Sequence, residues 1–388
     1  MVNIKKVSAK SILDTRGDKT IKINIITNVG SFSASSPTGK STGKFEAKTY
    51  KKSLDEDILV IKKFSDYFSN DFIEKFEDLK RIEDIVEGHV GANTLFAIES
   101  ATLKALAFEK QKHIWELINP GFEKTKFPRL VANCIGGGKH TQLEKKPNIQ
   151  EFLLIPNKKT IKQSFELNKK TQKQIGDILK RQDKKFNNKK NDENAWATTL
   201  TDKETLDVLS KPSFSGDIGV DVAASSFFKR KKYNYINPLF KRTPDEHFNY
   251  ISNLVNNFNL YYIEDPFEEN DFESHAKLLK KYPYSLVVGD DLTVTNSKRL
   301  KKAIEKKSIS GIIVKPNQCG SLLEVSRVCE LAKKNNIKII FSHRSGETEE
   351  NILADLAFGF QADFLKTGLQ GKGRNSKIKR LIEIQKSI

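Results

Sequence analysis

Short apolar segments that each end in an ionisable residue recur through the second half of the chain, and they limit the possible folds most strongly. The residues at or next to the segment ends are Asp221 (IGVD), Glu264 (LYYIED), Asp290 (SLVVGDD), Lys315 (GIIVK), His343 (IKIIFSH) and Lys366 (ADFLK). From Glu264 onward the spacing is about 25 residues, enough for one strand, one helix and two loops. The pattern therefore predicts a β/α barrel whose strand ends bring these ionisable side chains to one rim.

The first third of the chain follows a different pattern. Residues 1–50 alternate in polarity as strands do, whereas residues 52–118 show helical periodicity. The stretch INPGFEKTKFP, with two prolines and a glycine, then interrupts the periodicity. We therefore predict an α/β protein with an N-terminal α+β domain over residues 1–125 and a C-terminal β/α barrel over residues 126–388.

Composition is that of a globular protein in a reducing compartment. Charged residues make up 30% of the chain and hydrophobic residues 37%. No apolar run approaches the roughly 18 residues of a membrane span, and MVNIKKVSAK lacks the apolar core of a signal peptide. Cys134, Cys319 and Cys329 have no CxxC spacing, which argues against a disulfide framework or a zinc site. We expect a soluble, cytoplasmic protein that does not associate with membranes.

The chain is also basic, with a formal net charge of +18. A basic surface attracts phosphate-bearing partners of any size. The lysines, however, are spread along the whole chain and often stand beside asparagine, as in KKFNNKKN. Dispersed lysines are typical of solvated helix faces and loops, so we expect no dedicated nucleic-acid binding.

Three of the strand-end residues, Asp221, Glu264 and Asp290, are carboxylates on successive predicted strands. Convergent carboxylates repel one another unless a cation neutralises them, and an all-oxygen ligand set favours Mg²⁺ over zinc. Any one of them alone would be explained as well by a buried salt bridge or a helix cap. Three in phase predict a metal site.

Lys315 and Lys366 lie on strands of the same predicted barrel. A lysine that faces another cation and a divalent metal should have a lowered pKa, which suits a general base. The alternative is an ion pair with the carboxylates, and both can hold because pairing also positions the base. Together with the metal site, a lysine base indicates removal of a proton next to a substrate carboxylate.

Longer motifs carry a resemblance to a known family. The motifs are SPTGKSTGKFEA, GGGKHTQLEKKPNIQEF, NDENAW, IGVDVAAS, IEDPFEENDF, VVGDDLTVTN, VKPNQCGSLLE, SHRSGETEE and LKTG. In this order they resemble the enolase (phosphopyruvate hydratase) family over nearly the whole chain. The resemblance implies an α+β capping domain before an enolase-type TIM-like barrel. It also implies Mg²⁺-dependent, reversible dehydration of 2-phosphoglycerate to phosphoenolpyruvate in glycolysis and gluconeogenesis, two Mg²⁺ per active site, and a homodimer or higher homo-oligomer.

The resemblance also implies a role for individual residues. The implied catalytic residues are Lys315, the base that takes the α-proton, Glu193, the acid that helps the 3-hydroxyl leave, its neighbour Glu151, and His140 in a loop that reaches the substrate. The implied substrate-binding residues are Gln150, the phosphate-gripping Arg344 and Ser345, Lys366, which holds the substrate carboxylate, and His343. The implied ligands of the first Mg²⁺ are Asp221, Glu264 and Asp290, and Ser41 belongs to a loop that closes over the second ion.

The chain departs from the family pattern in three loops. Lys40 replaces a small residue in TGKSTG, NDENA (191–195) replaces a glycine-rich Gly-Asp-Glu-Gly-Gly, and KTGLQGKGRN replaces Lys-Thr-Gly-Ala-Pro. Asparagine and alanine resist conformations that glycine permits, so the backbone around Glu193 is where a difference is expected. Three hypotheses follow: a working, divergent enolase, a related Mg²⁺-dependent acid-sugar lyase, and a catalytically impaired scaffold or binding protein.

Overall fold

A computed structural model of the protein describes residues 1–40, 43–70, 72–121 and 126–388. The helices and strands of the N-terminal region are β1 (Val2–Leu13), β2 (Lys19–Thr27), β3 (Gly30–Ser35), α1 (Leu54–Phe64), β4 (Phe72–Ile73), α2 (Leu79–Val86), α3 (Ala92–Glu109) and α4 (Ile114–Ile118). The four strands form an antiparallel sheet in the order β3-β2-β1-β4 within these ranges. The alternation read from the sequence explains this sheet, because Ile21, Ile23 and Ile25 of β2 are all fully buried on its inner face.

The C-terminal region alternates strands and helices. Its elements are β5 (Arg129–Gly136), β6 (Glu151–Pro156), α5 (Ile161–Gln182), β7 (Trp196–Ala197), α6 (Asp202–Leu209), β8 (Gly216–Asp221), β9 (Phe228–Lys229), β10 (Lys232–Ile236), β11 (Leu239–Arg242), α7 (Pro244–Phe258), β12 (Tyr262–Glu264), α8 (Phe272–Lys281), β13 (Leu286–Gly289), α9 (Ser297–Glu305), β14 (Gly311–Val314), α10 (Pro316–Cys319), α11 (Leu322–Lys334), β15 (Lys338–Ser342), α12 (Ile352–Gly359), β16 (Phe364–Lys366) and α13 (Lys372–Ser387). The predicted α/β fold, an α+β region followed by a β/α barrel, is confirmed.

The barrel closes in the strand order β5-β6-β8-β12-β13-β14-β15-β16, with β16 pairing back to β5. One strand, β6, runs antiparallel to both of its neighbours, which the 25-residue repeat did not indicate. The reason is the short connection 137–150 before it, which holds a single 3₁₀ turn instead of a crossover helix. Because β6 is reversed, its first residue, Glu151, lies on the rim where the parallel strands end.

Strand register sets the rim side chains next to one another. Glu151 is paired with Asp221 on β8, and Asp221 is paired in turn with Glu264 on β12. Below the rim, the barrel interior is filled by Val131, Leu153, Ile155, Tyr262, Leu286, Val288, Ile313, Ile340 and Phe364. Each fully buried apolar side chain of this kind stabilises the fold by roughly 1.5–3 kcal/mol. A packed interior of this sort leaves the rim as the place for polar chemistry.

The outer helices are held by polar caps and by one apolar face each. Thr201 and Thr243 form capping boxes at the starts of α6 and α7, each worth about 1 kcal/mol. The longest of these helices, α5, exposes lysines on one side and buries Ile175 and Leu179 on the other. None of the helices within the described ranges combines the length and apolar character needed to cross a membrane.

The N-terminal region packs against the barrel and brings residues 37–40 and 43–46 to its rim. Thr38 pairs with Gly346, just after β15, through two backbone hydrogen bonds. Farther out, the buried Glu99 of α3 accepts a hydrogen bond of 2.6 Å from the backbone N–H of Leu322, at the start of α11. A carboxylate at a helix N-terminus is favourable, but complete burial raises the pKa of Glu99 well above its usual value.

Glu99→Gln tests this buried contact between α3 and α11. Because the folded-state pKa is raised, the folded protein holds a proton that the unfolded chain releases above about pH 4.5, so the parent loses stability as pH rises. We expect the variant to exceed the parent in free energy of unfolding by roughly 1–3 kcal/mol at alkaline pH, and by much less in acid. Urea unfolding across pH measures this, with the exposed Glu166→Gln as control. A stability difference that does not change with pH would contradict the interpretation.

Candidate active site

A polar pocket opens at the rim of the barrel, next to residues 37–40 and 43–46. The predicted site residues that line it are His140, Gln150, Glu151, Glu193, Asp221, Asp290, Lys315, His343, Arg344, Ser345 and Lys366. Glu264 lies just outside the lining and is joined to it through Lys366. Ser41 lies outside the described residues. The structure thus brings to one pocket side chains that are up to about two hundred residues apart in sequence.

Lys366 is the centre of the first cluster in this pocket. Its ammonium Nζ lies 3.0 Å from Asp221 Oδ2, 2.8 Å from Glu264 Oε2 and 3.3 Å from Glu151 Oε2. All of these side chains are buried, and the Tyr262 hydroxyl donates to Glu264 Oε2 from inside the barrel. Burial opposes the charge of Lys366, but the surrounding carboxylates outweigh it and raise its pKa well above the usual value. Burial and the charge of Asp221 also raise the pKa of Glu264 well above its usual value, so the cluster takes up protons when no cation is bound, and a bound cation would take their place.

Lys315 forms a second ion pair in the pocket. Its Nζ donates a short hydrogen bond to Asp290 Oδ2, and Gln318 Nε2 donates to the other oxygen of Asp290 at 3.2 Å. Burial lowers the pKa of Lys315, yet the charge of Asp290 outweighs this effect and the net shift is upward. The side chains of the protein, without a bound metal, therefore raise the pKa of Lys315 instead of lowering it as expected from sequence. The reason is that the ion pair with Asp290 outweighs repulsion by Arg344 and Lys366.

A third cluster gathers two histidines and two glutamates. Glu193 Oε1 lies 3.5 Å from His140 Nδ1 and 3.8 Å from His343 Nε2, and Glu193 Oε2 accepts a hydrogen bond of 3.0 Å from Asn133. His140 Nδ1 is also 3.8 Å from Glu151 Oε1. All of these side chains are buried.

The shared charges move the pKa values of this cluster apart. Burial lowers the pKa of His140, but Glu193 outweighs it and raises the value to about 9. Burial and the charge of Glu193 raise the pKa of Glu151 to about 8. For Glu193, burial favours the protonated form, but His140 and His343 lower its pKa well below the usual value. At neutral pH the protons therefore reside on His140 and Glu151, and the cluster titrates as a unit.

The loop 191–195 reaches this geometry without the glycines of the family pattern. The side-chain oxygen of Asn191 accepts hydrogen bonds from the backbone N–H groups of Glu193 (3.0 Å) and Ala195 (2.9 Å). Asn194 adopts a left-handed conformation with φ of 63°, which asparagine tolerates better than other non-glycine residues. The turn that glycine would form freely is thus formed by two asparagines.

The loop 191–195 rests on the second divergent loop, KTGLQGKGRN. Asn194 Nδ2 donates to the backbone oxygen of Gln370 at 3.2 Å, and Lys190 Nζ donates to the Gln370 side chain at 2.8 Å. Gln370 Nε2 donates in turn to Gln172 on α5. The two departures from the family pattern are therefore in contact, and each supplies partners for the other.

Two residues that sequence reasoning missed hold the Arg344–Ser345 end of the pocket. Glu46 Oε2 accepts hydrogen bonds from Arg344 Nη1 at 3.0 Å and Nη2 at 3.1 Å. Arg16 Nη1 donates to Ser345 Oγ at 2.8 Å. Both lie inside recognisable motifs, DTRG and GKFEA, so motif position was the available signal. What the motif could not show is that they cross from the N-terminal region to the barrel.

Asp265 and Asp291, two acidic residues next to the predicted Asp290, were also missed. Carboxylate oxygens of Asp265, Asp290 and Asp291 lie within 4.8 Å of one another. Asp265 accepts hydrogen bonds from the backbone N–H groups of Asp290 (3.0 Å) and Asp291 (2.6 Å), so it shapes the loop after β13. The signal was the second acid of each pair in IEDPF and GDD.

The donor set fits Mg²⁺. Asp221, Glu264 and Asp290 offer oxygen atoms only, which a hard divalent cation prefers. Glu264 Oε1 is buried and has no hydrogen-bond partner among the described residues. An unsatisfied buried oxygen among several carboxylates is costly by itself, and a cation bound there would satisfy it.

Asn194→Ala tests how the divergent loop is held. The left-handed conformation costs alanine roughly 1–2 kcal/mol, and the variant also loses the hydrogen bond to Gln370. We therefore expect the free energy of unfolding to fall by at least about 1–2 kcal/mol. Asn194→Gly loses the same hydrogen bond without the backbone cost and should be clearly more stable than the alanine variant. Urea unfolding of both variants measures the difference, and equal stabilities would show that backbone conformation is not the reason for asparagine here.

Comparison with known proteins supplies the family. The family model described as "Enolase, N-terminal domain" matches residues 4–118, and "Enolase, C-terminal TIM barrel domain" matches residues 124–388. A protein named Enolase from Methanosphaera stadtmanae is 34% identical, over 99% of this chain and 97% of its own length. One from Sulfurisphaera tokodaii is 37% identical, over 98% of this chain and 95% of its own. The chain therefore belongs to the enolase family, whose members are lyases of the phosphopyruvate hydratase class.

Proposed function

We propose that this protein catalyses the reversible, Mg²⁺-dependent dehydration of 2-phosphoglycerate to phosphoenolpyruvate, in glycolysis and gluconeogenesis in the cytoplasm. The observation that carries the proposal is a pocket with two separate buried proton-transfer groups. One is the Lys315–Asp290 pair, and the other is the cluster of His140, Glu151 and Glu193. Elimination of water needs both a base that takes a proton and an acid that gives one to the leaving hydroxyl.

Lys315 is the proposed base for the α-proton, acting as the neutral amine, which a cation bound by Asp290 would favour by competing for that carboxylate. It lines the pocket, and its hydrogen bond to Asp290 fixes the direction of Nζ at the end of β14. The Asp290 side chain is held in turn by Gln318, which limits how the pair can reorient. A base fixed in this way loses little conformational freedom when the substrate binds.

The proposed acid is the cluster around Glu193. The sequence assigns the acid role to Glu193 itself, whereas the pKa directions place the exchangeable protons on Glu151, with a pKa of about 8, and on His140, with a pKa of about 9. Glu193 lies within 3.5 Å of His140, so a proton lost to the leaving hydroxyl can be replaced from within the cluster. We propose that Glu193, Glu151 and His140 act together as one donor.

Mg²⁺ is the proposed cofactor, with Asp221, Glu264 and Asp290 as ligands of the first ion. When bound, it supplies the positive charge that stabilises the negative charge developing on the substrate carboxylate. We propose a second ion per active site, with Ser41 as one of the residues that enclose it.

The substrate phosphate is assigned to Arg344 and Ser345. The Arg344 guanidinium already forms a paired contact with the Glu46 carboxylate, and the same planar fork matches two phosphate oxygens. Gln150, His343 and Lys366 line the rest of the pocket and are proposed to bind the substrate, with Lys366 at its carboxylate.

The phosphate site at Arg344 and Ser345 favours a phosphorylated acid over an unphosphorylated acid sugar as the substrate. The complete set of proton-transfer groups favours an enzyme over a scaffold. A homodimer or higher homo-oligomer is part of the proposal.

The direct test follows phosphoenolpyruvate formation from 2-phosphoglycerate by ultraviolet absorbance. We expect a rise in absorbance with Mg²⁺, loss of the rise with excess EDTA, and recovery when Mg²⁺ is restored, because the charge on the substrate carboxylate needs a cation. A flat trace from folded, Mg²⁺-replete protein would overturn the proposed activity. A rate that EDTA leaves unchanged would overturn the proposed cofactor.

Lys315→Ala tests the base. Removal of a positioned base typically costs 10²–10⁴-fold, so we expect kcat to fall by about that factor. Circular dichroism should remain that of the parent. The matched control is Lys301→Ala, which removes an exposed lysine of α9 and should leave kcat unchanged. A near-parental kcat for the Lys315 variant would show that another group takes the proton.

A further inference from the structure

Lys40 forms an ion pair across the mouth of the pocket. Its Nζ lies 2.8 Å from Asp192 Oδ2, and Asp192 directly precedes Glu193. Lys40 stands where the family pattern has a small residue, and Asp192 stands in the loop that lacks the family's glycines. The pair thus joins two of the segments in which this chain departs from the pattern.

The Lys40 end of the pair is fixed to the barrel. The backbone N–H of Lys40 donates to Ser345 Oγ at 2.9 Å. Two residues earlier, Thr38 exchanges backbone hydrogen bonds of 2.7 and 2.9 Å with Gly346. The lysine backbone is therefore tied to the Arg344–Ser345 end of the pocket, and the side chain reaches from there to the opposite loop.

The Asp192 end is fixed to Glu193. The side chain of Asn191 accepts a hydrogen bond from the Glu193 backbone N–H, so residues 191–193 form one tight turn. Asp192 Oδ1 is buried with no hydrogen-bond partner among the described residues, and Lys40 forms an ion pair with the other oxygen of that carboxylate, whose charge also acts on His140. Displacement of Asp192 would carry the Glu193 backbone with it.

The side chains of this ion pair are less exposed to solvent than those of an ordinary surface pair. The Lys40 side chain is 30% exposed and that of Asp192 is 14% exposed. By contrast, Lys162 and Glu166 on α5 form a pair with side chains 68% and 62% exposed, and such pairs contribute little because solvent screens them. Lys40 also lines both the pocket and the neighbouring cleft that contains Arg16, so the pair stands in the wall between the two.

We infer that Lys40 is a positioning residue that, through Asp192, holds the Glu193 loop against the Arg344–Ser345 end of the pocket. It compensates for the loss of the glycine-rich turn by adding a cross-loop contact. The inference rests on the proposed role of Glu193 in the dehydration reaction. The competing explanation is that Lys40 attracts the anionic substrate by its charge alone.

A double-mutant cycle with Lys40→Met, Asp192→Asn and the combined variant separates the two explanations. If the pair positions Glu193, each single change should lower kcat by roughly three- to tenfold with little change in KM. The kcat of the double variant should be no lower than that of the less active single variant. Lys40→Arg should retain most of the parental kcat, since arginine keeps the positive charge and has a side chain long enough to contact Asp192. Substrate attraction instead predicts that Lys40→Met raises KM and leaves kcat unchanged, and that Asp192→Asn loses no activity. That pattern, or additive effects on kcat, would overturn the inference.

A second measurement keeps the inference testable apart from the reaction. Hydrogen–deuterium exchange of peptides covering residues 191–197 should speed up in both single variants, and to the same extent in the double variant, because each change releases the same contact. Lys162→Met is the matched control and should leave both kcat and exchange unchanged. If the parent itself does not turn over 2-phosphoglycerate, the proposed function fails while the exchange data still decide the ion pair. Unchanged exchange in Lys40→Met would overturn the positioning role.

Discussion

Three buried carboxylates held around the single ammonium group of Lys366 are the interaction on which the rest of the site depends. Asp221, Glu264 and Glu151 repel one another, and each loses hydration on burial, so the arrangement persists because Lys366 contacts all three. One positive charge does not balance three acids. Burial and the neighbouring Glu193 raise the pKa of Glu151 to about 8, burial and Asp221 raise that of Glu264 well above its usual value, and Glu264 Oε1 has no hydrogen-bond partner among the described residues. Metal affinity and proton storage thus have a common electrostatic origin.

The barrel makes this cluster possible through strand register and through one reversed strand. Asp221 and Glu264 end parallel strands, whereas Glu151 begins the antiparallel β6. With β6 parallel, Glu151 would lie at the opposite end of the barrel, and neither Lys366 nor His140 would have it as a partner. The short connection 137–150 therefore decides the chemistry as well as the topology, since it is too short for a crossover helix.

The divergent loops show how one backbone is held by different residues. Where the family pattern has glycines, Asn191 caps the turn with its side chain and Asn194 takes the left-handed conformation. Gln370 supports the turn from below, and Lys40 reaches Asp192 from above. The left-handed backbone conformation costs asparagine more free energy than it costs glycine, and the added contacts offset that cost. The loop that carries Glu193 is held by contacts with Gln370 and Lys40, which lie in two other segments that differ from the family pattern.

The sequence by itself determined the α/β class, the family and half of the residues that line the pocket, because strand ends and motif order are local properties of the chain. It could not determine the charge state of the groups it identified. Without a bound metal the pKa of Lys315 is raised, whereas the expected lowering assumed a divalent cation beside it; Asp290 lies within hydrogen-bond distance only after folding. The contacts that Glu46 and Arg16 make with the barrel, and the Lys40–Asp192 pair, were likewise beyond reach, because they join segments far apart along the chain. Local pattern places a side chain on a rim; its partners and its protonation depend on burial and distance, which only the tertiary structure decides.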